Sequence, residues 1–157
     1  MSEPAAILIP AGAGERLRLR PPSRSGEVPI LVDPTNTGAT RFAVGTQRLV
    51  PGGRIPVHRH HTQEEVLRIE AGAGWATLGD ERERLETGAT LYIPPGVWHG
   101  IENPGPAPLK LLWIISPPGL ERMFRAIGTA DGEVPAPLYD TEFAEIVREF
   151  EMETFDG

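Results

Sequence analysis

The chain contains four histidines, and three of them, with one glutamate, fall at spacings that have geometric meaning. His58 and His60 lie two apart in a strand-like run, so their side chains point to one face. Glu65 opens the next apolar run after residues 61–64, which lets an antiparallel neighbour bring its carboxylate alongside the pair. His99 follows the turn Pro94-Pro95-Gly96 at the start of a later run. Alone, a His-x-His pair is more often two polar residues on a solvated strand face. Three imidazoles and a carboxylate converging on one point instead make a nitrogen and oxygen site with open positions, suited to one divalent transition ion among Fe, Mn, Ni, Cu and Zn. The chain has no cysteine, which excludes thiolate zinc sites, iron-sulfur clusters, disulfides and thiol nucleophiles. Glu64 rivals Glu65 by type, but Glu65 stands directly before the run 66–69. His61 alternates away from His60 and reads as a rim residue.

The elements that must position these groups are mostly strands. Eighteen glycines and seventeen prolines, spaced between short apolar runs, fit many turns and an all-β fold. Strand-like runs occupy 42–50, 56–60, 65–69, 75–78, 81–85, 90–93, 99–102 and 109–115, with Gly79-Asp80 as a two-residue hairpin signal. Upstream, Leu17 and Leu19 alternate with arginines as a covering or edge strand, residues 21–28 read as a loop, and 30–32 as a short strand. After Pro117-Pro118-Gly119 the period changes. Leu120, Met123, Phe124 and Ile127 form one helical stripe, and Phe143, Ile146, Val147 and Phe150 form another, with Asp140 or Thr141 as a cap. The second stripe is expected to dock on the barrel or on a partner subunit. One domain over 1–157 follows, with a barrel at about 41–116 and a helical extension at about 119–157.

The spacings also form a grammar. Gly52, five residues, His58, one residue, His60, four residues, Glu65, six residues and Gly72 make one motif. Gly88, five residues, Pro94, one residue, Gly96, two residues, His99, three residues and Asn103 make a second, fifteen residues further on. Both resemble the two motifs of the cupin superfamily at every defined position. The resemblance implies a cupin-type jelly-roll β-barrel with N-terminal covering strands and two C-terminal helices, and a metal held by His58, His60, Glu65 and His99. The motif glycines stand at strand ends that favour positive φ, and Asn103 reads as a turn-former bonding its own backbone.

Strand parity proposes a pocket. Leu67 and Ile69 share the face of Glu65, and Ile101 that of His99. Ala43, Gly45 and Gln47 make a small face that leaves room for a ligand, with Gln47 as polar anchor and Trp113 as aromatic wall. These inward faces hold no charged anchor, so an apolar pocket for a flat organic molecule is expected. The segment from Pro117 to Arg125 is similar to the post-barrel helix of quercetinase-like cupin dioxygenases. That likeness implies a dioxygenase for a small enolic or phenolic substrate, with Glu65 as both ligand and base. Metal-dependent isomerisation of a sugar or keto acid, or small-molecule binding and sensing without catalysis, are the alternatives. The net charge of −7 disfavours nucleic acid and anionic membranes as partners. About six of those charges fall at 140–157, where seven acids meet Arg148. No apolar run approaches the roughly 20 residues of a membrane span, and Met1-Ser2-Glu3-Pro4 lacks secretory features; a cytoplasmic location is expected. The family resemblance implies a homodimer.

Overall fold

The computed structural model describes residue 3 and residues 5–155, so most of the opening tetrapeptide and the last two residues of the expected domain lie outside the described residues. In chain order the elements are β1 (Glu15–Leu19), β2 (Glu27–Val32), β3 (Ala43–Leu49), β4 (Arg54–His60), β5 (Glu64–Ala71), β6 (Ala73–Leu78), β7 (Glu81–Glu86), β8 (Thr90–Ile93), β9 (His99–Glu102), β10 (Leu109–Ser116), α1 (Leu120–Ile127), β11 (Gly128–Ala130), α2 (Asp140–Glu149) and β12 (Met152–Thr154). They form two antiparallel sheets, β11-β1-β2-β3-β10-β5-β8 and β12-β4-β9-β6-β7, facing each other as a jelly roll. Strict alternation builds the core between them. Ala43, Gly45, Gln47 and Leu49 of β3 point inward against Leu109, Leu111, Trp113 and Ile115 of β10.

Several expectations change. Strand β1 is not an edge, because β11 pairs along its free side and β2 along the other. Strand β2 begins at Glu27, inside the stretch read as loop. Strands β11 and β12 escape sequence reading because three residues carry no measurable period. They nevertheless carry the extension into both sheets, so sheet pairing is not confined to about 41–116. The turn at Gly79, with φ of 62°, closes the β6–β7 hairpin as expected.

Helix α1 buries the predicted stripe. Helix α2 buries Val147, while Phe143, Ile146 and Phe150 pack half-buried on the core of the same chain. Neither Asp140 nor Thr141 caps it. The N-cap is Tyr139 without a side-chain cap bond, and the helix start is held instead by Arg20, which donates to Glu142 at 2.8 Å and to the carbonyls of Ala136 and Pro137. Helix α1 rests on β1 and β11, α2 on β12, and the helices on each other, so the pair bridges one edge of each sheet.

Candidate metal centre

Strand β4 carries His58 and His60, β9 carries His99 directly opposite His58 in register, and β5 carries Glu65. Glu65 does not reach the histidines as a hairpin neighbour. Strand β4 pairs with β9 and β12, while β5 belongs to the other sheet. The connection 61–63 crosses between sheets, and the carboxylate meets the imidazoles from across the barrel. All four side chains are buried, and one ligand atom from each lies within 4.8 Å of the others. Glu64 points outward and accepts from the Tyr92 hydroxyl, which assigns the inward role to Glu65. His61 is exposed at the rim.

The hydrogen bonds fix which nitrogens face inward. Nδ1 of His58 lies 2.7 Å from the Pro56 carbonyl, and Nδ1 of His99 lies 2.9 Å from that of Val97. A carbonyl only accepts, so Nδ1 donates and Nε2 is presented to the interior, as in a ligating histidine. His99 Nε2 then lies 3.1 Å from Glu65 Oε2, and His60 Nε2 lies 3.6 Å from the same oxygen. Two lone-pair donors and an anion packed this closely require a cation among them, a proton or a metal ion. Neither nitrogen of His60 has a partner. An ion between the four residues would satisfy its Nε2, so the donor set fits a divalent transition metal.

The electrostatics agree. Burial pushes His58 down to about 3, assisted by the neighbouring charges of His99 and His60. Burial alone would raise the Glu65 carboxyl, but the imidazoles of His60 and His99 beside it, His99 at hydrogen-bond distance, outweigh burial and hold that carboxyl well below the usual range. A neutral imidazole and an ionised carboxylate are the protonation states a metal ligand needs.

A cavity of about 520 Å³ opens on His58, Glu65 and His99. Gln47, Leu67, Ile101 and Trp113 line it, as parity predicts, whereas Ile69 is core outside the lining and His60 stands behind it. The small face of β3 does not leave the room expected. A Cβ at Gly45 would come within 2.2 Å of the Trp113 ring, so the indole fills that space. Sequence reasoning missed much of the wall: Leu120, Met123 and Phe124 of α1 and Phe143 and Val147 of α2 line the cavity. Their helical stripes are legible as buried, but nothing in them says against what. The expectation of no charged group also fails, since Arg24, Arg54 and Asp140 are on the lining. Arg24 comes from a loop and Asp140 from a helix start, to which strand parity does not apply, and Arg54 precedes the run 56–60 read as strand although β4 begins with it. Asn103 is more than a local turn-former: its amide donates to the carbonyls of Leu49, Val50 and Ala107 while its oxygen accepts from Gly105 N.

The profile of the family described as Cupin domain matches residues 45–115. The chain is 42% identical over 73 residues to the uncharacterized protein MJ1618 of Methanocaldococcus jannaschii, covering 46% of this chain and 58% of that one. It is 37% identical over 99 residues to protein SchB of Streptomyces halstedii, covering 62% and 72%. It is 31% identical over 94 residues to the tetracenomycin polyketide synthase protein TcmJ of Streptomyces glaucescens, covering 60% and 63%. The matches thus span between 58% and 72% of these relatives. A sugar phosphate isomerase of the cupin superfamily from Silicibacter pomeroyi shares the fold, with a TM-score of 0.60 at 22% identity, covering 72% of this chain and 77% of that one. With both motifs complete and their ligand residues gathered at one buried point, the chain belongs to the cupin superfamily.

Proposed function

We propose that this cupin is a metal-dependent dioxygenase acting on a small enolic or phenolic compound. The observation that carries the reading is a buried three-histidine, one-glutamate set opening onto a largely apolar cavity of about 520 Å³. His58, His60, Glu65 and His99 would hold a divalent ion from the series Fe, Mn, Ni, Cu or Zn, which when bound supplies Lewis acidity and, for the redox-active members, dioxygen chemistry. Glu65 accepts the proton of the enol or phenol hydroxyl, for which its ionised state suits it. Leu67, Ile101 and Trp113 pack the flat face of the substrate, Gln47 offers a polar contact, and the two helices exclude bulk water. Likeness to a polyketide synthase protein supports the substrate class, since polyketide carbonyls enolise and cyclise to phenols.

Arg24 and Arg54 on the lining favour a second reading, metal-dependent isomerisation of an anionic sugar or keto acid. Oxygen separates the two. The test is metal analysis of the purified protein followed by oxygen uptake with flavonols, diketones and catechols. Uptake is expected, and Glu65→Gln should depress turnover more than metal content. A metal-replete protein that consumes no oxygen with any of these, yet isomerises a keto-sugar or only binds its ligand, refutes the dioxygenase.

A further inference from the structure

The two ends of the cavity differ in chemistry. The register shows how far apart they are: Glu65 is level with Ile115 and Ala43, Leu67 with Trp113 and Gly45, and Ile69 with Leu111 and Gln47. Gln47 therefore stands four residues along the strands from the metal layer, about 13 Å at roughly 3.3 Å per residue. In the other sheet the sequence is the same: His58 opposite His99, then Ile55 opposite Ile101, then Gly52 bonded to Asn103. Ser25, Gln47, Gly52 and Arg24 thus form a polar end remote from the ion-holding residues.

Most of that polar end is already satisfied. Gln47 Nε2 donates to the Ser25 carbonyl, and the Ser25 hydroxyl donates to the Arg54 carbonyl. Arg24 is the exception. Its guanidinium lies over Gly52, where a Cβ would stand 3.1 Å from Nη2, so the absence of a side chain at Gly52 makes its seat. Among the described residues Arg24 makes no side-chain hydrogen bond and no ion pair; it is exposed at the cavity mouth, and Arg54, also on the lining, is likewise without a protein partner, but Arg24 is the one seated over Gly52. Asp140, the carboxylate on the lining besides Glu65, is not within ion-pair distance of it. A fork of unspent donors at a cavity wall is matched by a planar anion.

We infer that Arg24 is a specificity-determining residue, which binds an anionic group on the substrate at the end opposite the metal centre. The substrate class is thereby narrowed to an enol or phenol carrying a carboxylate or phosphate on a short tail. This inference rests on the dioxygenase reading for the enolic head, while the anion contact itself depends on binding and not on turnover.

The test is calorimetric titration of the metal-loaded protein, without oxygen, with 3-(3,4-dihydroxyphenyl)propionate, its neutral primary amide, and 2-(3,4-dihydroxyphenyl)ethyl phosphate. Wild type should bind at least one anion about tenfold or more tightly than the amide, the strength of one charge-assisted contact, and the better anion names the group. Arg24→Met should bring the anions to parity with the amide, and an unchanged circular-dichroism spectrum and melting transition show that the variant is folded. Arg24→Lys should keep part of the preference. Equal binding of anions and amide by wild type, a preference that survives Arg24→Met, or binding of none of the three overturns the inference. An Arg24-dependent preference in a protein that consumes no oxygen overturns the dioxygenase reading and leaves this one standing.

Discussion

Replacing His60 with leucine separates what the site costs the fold from what an ion returns to it. His60 is 2% exposed and neither of its ring nitrogens is hydrogen-bonded. An unsatisfied buried polar group costs about 1–3 kcal/mol, so the metal-free protein carries a penalty of about 2–6 kcal/mol at this one ring. Leucine fills a similar volume without polar atoms and removes that penalty. Against this, Glu65 loses a neighbour at 3.6 Å that helps keep its carboxyl ionised. The metal-free variant is therefore expected to melt at or above the temperature of chelated wild type. With metal the order reverses. An ion present at one hundred times its Kd adds about 2.7 kcal/mol to wild type, a rise of about 5–11 °C for a chain of this size. The variant, with one ligand gone, should rise little. Melting curves in chelator and in excess Mn(II) or Ni(II) give both comparisons. A metal-free variant that melts more than about 5 °C below chelated wild type, with the ion stabilising both equally, would refute the reasoning.

Gly45→Ala should destabilise by about 1–3 kcal/mol or more through overpacking, because its Cβ would collide with Trp113 and the Pro29 carbonyl; denaturant unfolding reads the loss. The chelated protein should lose stability as the pH falls from about 6.5 towards 3. His58 is depressed when folded, so the unfolded chain takes up a proton in that window that the folded chain does not, and His58→Asn should flatten the slope by up to about one proton. Arg20→Ala should release the start of α2, and native-state hydrogen exchange should show α2 amides exchanging faster while those of β3 and β10 keep their protection.

The four candidate metal-binding residues were legible because their information is local. Two histidines at period two declare a common face whatever the fold, and fixed motif spacings declare the turns that separate the strands. The same period placed Gln47, Leu67, Ile101 and Trp113 inward, since pleating obeys sequence parity. Only tertiary structure decided which sheet each strand joined. Glu65 could have been a hairpin neighbour of His60 on sequence grounds, and it lies across the barrel because β4 finds its partners in β9 and β12. Ile69 obeys parity yet misses the cavity, because parity gives a side and not a depth. Gly45 looked like empty space and holds the Trp113 indole, since a small residue frees volume that any neighbour can claim. The helical wall depends on contacts between segments about a hundred residues apart, and the Arg24 seat on a loop laid over Gly52 from outside its strand; a single sequence has no period to read for either.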